Sequence, residues 1–117
     1  MTKDEFLSFH KACCERMHEI TKAKNADYTG ATLDPFANFK QVEMLGICLT
    51  EQGFLTRMTD KLSRLASFVK QGTLQVKDES VSDTLLDLAN YCILMAGYLK
   101  AKQNQDATLI KNNLGGE

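Results

Sequence analysis

Apolar residues return every three or four positions along most of this 117-residue chain, and a single proline, Pro35, interrupts it. That spacing is what a helix needs to bury one face. With no tryptophan, few Val or Ile and long stretches without glycine, the chain reads as helices rather than strands. The expected fold class is all-α, a bundle of about four helices.

The first helix is expected to open at a capping box, Thr2 with Glu5, in which hydroxyl and carboxylate each satisfy a free backbone N–H. Phe6, Phe9, Cys13, Met17 and Ile20 form its apolar stripe, which fades near Ala23. Residues 25–34 (NADYTGATLD) lose the period and gather turn formers. Asp34 as cap and Pro35 at the first helical position then start a second helix running towards Cys48. Leu55, Met58, Leu62, Leu65, Ala66 and Val69 draw a third, stopped by Gly72. A second capping box, Ser80 with Asp83, opens a fourth helix expected to last to about Lys102. The organisation expected is one helical domain over residues 1–102 and a polar tail over 103–117.

Composition narrows the function classes. The hydrophobic share of 44% and charged share of 25% suit one soluble domain. A net charge of -1 gives no summed field that would draw the molecule to nucleic acid, so no stable nucleic-acid binding is expected. No apolar run approaches the roughly 20 residues of a membrane span, and Met1 to Phe6 lacks the order of a signal peptide. A cytoplasmic protein with reduced cysteines is expected, since Cys13, Cys14, Cys48 and Cys92 have no CxxC spacing. A chain this small, apolar on more than one side of its last helix, gains by self-association, so a homo-oligomer is expected as well.

The chemistry gathers on two helices. Opposite the apolar face of the last helix lie Asp83, Asp87 and Asn90 on a stripe flanked by leucines. Carboxylates against a packed surface are costly unless paired or bound to a cation, which makes Asp83 and Asp87 a candidate metal pair, with Glu79 as a further acid. On the third helix Arg57, Asp60, Lys61 and Arg64 share the stripe opposite its apolar arc, a set that suits a polyphosphate and its hard metal. Ordinary readings compete with these. Asp83 can simply cap its helix, and Asp60 with Arg64 or Arg57 with Lys61 are helical neighbours on a solvated face. His10, Cys14 and His18 follow at four-residue steps, which a soft metal can use but an exposed helix edge explains better. Tyr28, Phe36 and Phe39 either stack on a base beside Asn25 and Asn38 or anchor the loop to the core.

Three segments, KNADYTGATLDPFANF (Lys24 to Phe39), RMTDKLSRL (Arg57 to Leu65) and DESVSDTLLDLANYCILM (Asp78 to Met95), together resemble the phage and bacterial nucleotide-modification-associated domain proteins. These are similar to the MazG-like all-α nucleoside triphosphate pyrophosphohydrolases. The resemblance implies a helical bundle in which acidic residues hold Mg²⁺, replaceable by Mn²⁺, while water cleaves a nucleotide between its α- and β-phosphates. Carried over by position, Asp60, Glu79, Asp83 and Asp87 become the catalytic and metal-binding acids. Lys24, Asp27, Tyr28, Asn38, Arg57, Lys61, Arg64, Asn90 and Tyr91 become the nucleotide-binding set. One departure stands out: MazG-like enzymes carry an EExxE cluster on the earlier helix, where this chain has only Asp60.

Three functions are therefore weighed. The first is a Mg²⁺-dependent pyrophosphohydrolase acting on a (deoxy)nucleoside triphosphate, in the host cytoplasm if phage-encoded. The second is a non-hydrolytic sponge for a nucleotide or cyclic nucleotide signal. The third is a helical partner-binding protein without a ligand.

Overall fold

The computed structural model describes residues 1–27, 34–72 and 80–115, with side chains at 1–25, 34–72 and 80–113. Its elements are α1 (Lys3–Asp27), α2 (Ala37–Met44), α3 (Thr50–Gln71) and α4 (Val81–Gly115). The all-α bundle is thus realised with four helices. Among the described residues no helix is long and apolar enough to cross a membrane.

The helix starts follow the local chemistry. At α1, Glu5 N–H donates to Thr2 Oγ1 at 3.1 Å and Thr2 N–H donates to Glu5 Oε2 at 2.9 Å, closing the capping box from both sides. Before α2, the Asp34 carboxylate accepts the Phe36 N–H at 2.9 Å and the Lys40 ammonium. Its hydrogen bond with Lys40 holds the Asp34 carboxyl below its ordinary pKa. At α4, Ser80 Oγ accepts the Asp83 N–H at 3.0 Å.

Several ends differ from the sequence expectation: α1 runs on to Asp27 rather than fading near Ala23, and α2 opens at Ala37 with Phe36 at its N-cap position, so Asp34 and Pro35 form a turn before the helix rather than its cap and first residue. The second helix stops at Met44 rather than Cys48 because Gly46 turns the chain at φ 74°, its N–H donating to the Glu43 carbonyl. The third begins at Thr50, five residues before the apolar arc, with Gln52 Oε1 accepting the Leu49 N–H at 2.9 Å. The fourth continues past Lys102 to Gly115, since residues 103–113 are polar but contain no glycine or proline to stop a helix. Gly72 ends α3 as expected, left-handed at φ 79°.

The centre of the molecule is aromatic. Phe54 is fully buried and stacks on Phe39, with centroids 4.5 Å apart and planes 12° off parallel. Tyr98 is buried 5.8 Å from Phe54 and takes the edge of Phe36. Burial raises the Tyr98 phenol pKa, helped by the neighbouring Glu51 carboxylate. This cluster binds α2 to the antiparallel pair α3–α4. A Cβ on Gly53 would meet Val42 at 2.9 Å, so glycine there lets α2 approach α3.

Helix α1 lies against α4 through polar contacts. Arg16 pairs with Asp83 at 2.9 Å, and Thr21 Oγ1 both accepts from Asn90 Nδ2 at 2.9 Å and donates to Asn90 Oδ1 at 3.2 Å. Both partners advance together, so the two helices run parallel. The first ten residues of α1 project about 15 Å beyond the start of α4, leaving Phe6 and Phe9 about half exposed. At the other end, Lys102 pairs with Glu51 near the start of α3, and the rest of α4 projects past it. The radius of gyration is 18.1 Å, where a compact chain of this length has about 13 Å.

Candidate functional site

The polar stripe of α4 is packed on two sides, as its leucine flanks predict. Asp83 and Asn90 face α1, while Asp87 faces α3, where Lys61 lies 3.1 Å from its carboxylate. Lys61 reaches that carboxylate from a largely buried position, its side chain 13% exposed. Of these, Asp87 and Asn90 line a cavity of about 110 Å³ to which α1, α2, α3 and α4 all contribute residues.

Aromatic rings and a guanidinium form one wall. Arg57 Cζ sits over the Phe39 ring, 4.5 Å from its centroid, and the Tyr91 ring meets Phe39 edge-on at 6.5 Å. Phe39 therefore belongs to both core and cavity, because its ring also stacks on Phe54. Carboxamides surround the opening: Asn25 and Asn38 line it, and Asn90 lines it while bonded to Thr21. Each carboxamide carries a donor and an acceptor side by side, the pattern a nucleobase edge presents. Lys24 and Asp87 add one charge of each sign. The volume is below the roughly 300–1,000 Å³ of a pocket enclosing a drug-sized ligand, so the cavity fits one ring and leaves the remainder of a ligand outside it.

Of the expected binding residues, Lys24, Asn38, Arg57, Asn90 and Tyr91 line this cavity, and Lys61 adjoins it through Asp87. Thr21, Pro35 and Leu94 also line it, none of which the sequence reading placed in the binding set. Tyr28, Glu79 and the Asp27 side chain lie outside the described residues. Phe36 anchors to Tyr98 rather than lining the cavity.

The acids are not gathered at one point. Asp60 pairs with Arg64 at 3.3 Å along the surface of α3, the i to i+4 pairing that simple helical neighbours make. Asp83 is held by Arg16, and Asp87 by Lys61. Among the described residues no three His, Cys, Asp or Glu side chains converge as a metal would need. Mg²⁺ takes one or two carboxylates with water. Here Asp83 and Asp87 each already face a cation, so these two acids as arranged do not fit a resident metal.

The fold and cavity define an all-α domain with a small pocket whose walls are aromatic, amide and cationic. The chain belongs to the nucleotide modification associated domain 1 family, whose model matches residues 24–96. That span includes every cavity-lining residue except Thr21. No curated protein and no solved structure matches the chain.

Proposed function

We propose that this protein binds a nucleotide, with the base in the α1–α4 cavity and the phosphates towards Lys24 and Arg57. The observation that carries the reading is the joint placement of Arg57, Phe39 and Tyr91 with the Asn25 and Asn38 carboxamides around one ring-sized space. Aromatic walls stack on any base, carboxamides read its edge, and the cations answer its phosphates. The family's description supports the same reading.

Hydrolysis of the bound nucleotide, the activity that the sequence resemblance implies, is the second reading. It is favoured by Asp87, a carboxylate in the cavity wall one helical turn from Asp83. For either acid to act on a phosphate or hold Mg²⁺, its ion pair must open.

Calorimetry with a panel of nucleoside mono-, di- and triphosphates and cyclic nucleotides tests binding. Chromatography of the same mixtures, with and without Mg²⁺ or Mn²⁺, tests cleavage. Saturable binding without new products supports the first reading, and metal-dependent release of pyrophosphate establishes the second. No binding of any nucleotide at millimolar concentration overturns both.

A further inference from the structure

The Phe39 ring is fixed from its core side. Phe54, which has no solvent exposure, stacks on it at 4.5 Å, and Tyr91 meets its edge at 6.5 Å. The Arg57 guanidinium lies over the same ring, its Cζ 4.5 Å from the centroid. Phe39 and Arg57 both line the cavity and Phe54 does not, which puts the guanidinium on the face of the ring that a ligand meets. That is the position a nucleobase needs in order to stack there.

The guanidinium is lightly held in that place. Asp60 pairs with Arg64 and Asp87 with Lys61, and among the described residues no carboxylate pairs with Arg57. Arg57 is exposed, so its seat on Phe39 is a cation–π contact open to water. Such a contact is weaker than the bidentate, charge-assisted hydrogen bonds that an arginine makes to phosphate.

We infer that Arg57 makes this site select ligands in which base and phosphate are joined in one molecule. The base takes the place of the guanidinium on Phe39, and the displaced guanidinium turns to the phosphates. A nucleoside must move the guanidinium without giving it a new partner. Pyrophosphate draws it off the ring and leaves the ring uncovered. A nucleotide completes both halves of the exchange, so it binds more tightly than either fragment. The inference rests on the nucleotide reading above and adds to it the basis of discrimination.

Titration calorimetry of the full chain and of Arg57→Ala, with each common nucleoside, its triphosphate and pyrophosphate, reads the exchange as a change of sign. Arg57→Ala binds nucleosides about 2- to 5-fold more tightly, because the ring is already bare, and binds triphosphates roughly 10- to 100-fold more weakly. In NMR spectra the Arg57 Nε proton, assigned by its loss in Arg57→Lys, is shielded by the Phe39 ring in the free protein and loses that shielding at saturation with triphosphate. Nucleoside affinity that stays equal or falls in Arg57→Ala overturns the inference and makes the guanidinium a platform on which the base stacks. An Arg57 proton that stays shielded at saturation overturns it as well. Both of these outcomes leave nucleotide binding standing, whereas no binding of any triphosphate overturns that reading and the inference with it.

Discussion

The Lys61 ammonium on α3 reaches the Asp87 carboxylate on α4 at 3.1 Å, in the wall of the cavity. Lys61 is the more buried partner, while the Asp87 carboxylate stays partly open to solvent. The pair joins the two helices that carry the core and places a cation beside the space proposed for the ligand.

Asp87→Asn separates the two functional readings. The substitution keeps the shape and a hydrogen-bond acceptor but removes the charge, costing about 1 kcal/mol of stability through the weakened pair. If the protein binds without cleaving, an anionic ligand gains the Lys61 charge that Asp87 now offsets, and calorimetry reads affinity at or above wild type. If Asp87 serves hydrolysis, product release falls at least 100-fold while binding persists.

Arg57 is held over Phe39 and lines the cavity, so Arg57→Ala removes a charge-assisted donor from the phosphate end of the site. The expected loss of nucleotide affinity is roughly 10- to 100-fold. Arg57→Lys restores charge but not the stacked planar group, and recovers only part of it. Titration calorimetry of the three proteins with one nucleotide checks the order.

The helices were legible because caps and apolar arcs are local. Thr2 with Glu5 and Gly72 act where the sequence places them, whereas the charged stripe of α3 divides, Lys61 turning inward to Asp87 and Asp60 pairing with Arg64 along the surface. Thr21 was not legible, because α1 is docked by polar pairs, Arg16 with Asp83 and Thr21 with Asn90, which leave no periodic signal. For the same reason the apolar stripe of α1 misleads over its first turns, where Phe6 and Phe9 meet solvent within the protomer. Phe39 is ambiguous in sequence and remains double in structure, since one ring serves both the stack on Phe54 and the seat of Arg57.

Asp34 gives a pH dependence of known sign. Its folded-state pKa lies below the ordinary 3.8, first through the hydrogen bond from Lys40. Its contribution is therefore present above the unfolded pKa and is lost as pH falls through the lower folded value. Urea midpoints measured from pH 6 down to pH 3 fall in wild type, and Asp34→Asn flattens part of that fall. Equal slopes in both proteins would show that the Asp34–Lys40 pair does not support the start of α2.

Gly72 closes α3 at φ 79°, where an L side chain crowds its own carbonyl, and its N–H donates to the Phe68 carbonyl at 2.7 Å. Gly72→Ala is expected to cost about 1 kcal/mol. The same change at a right-handed helical glycine without crowding would stabilise, so a higher melting temperature for Gly72→Ala would contradict the left-handed cap.

Phe54 is the one large apolar side chain with no exposure among the described residues, stacked on Phe39 and 5.8 Å from Tyr98. Few other side chains share the work of the core, so the aromatic cluster is where truncation should be felt most. Phe54→Ala opens a cavity on which α2, α3 and α4 all border, and the expected cost is about 3–5 kcal/mol. A chain of this length is stable by roughly 6–18 kcal/mol, so that loss takes a large fraction of the total. Phe9→Ala removes an identical ring from the projecting end of α1, 53% exposed, and should change stability by less than about 0.5 kcal/mol. Urea unfolding of the two variants at one fixed protein concentration, which removes any contribution from self-association, tests the contrast. Equal midpoints would mean that the cluster around Phe54 is not what holds α2 against the α3–α4 pair.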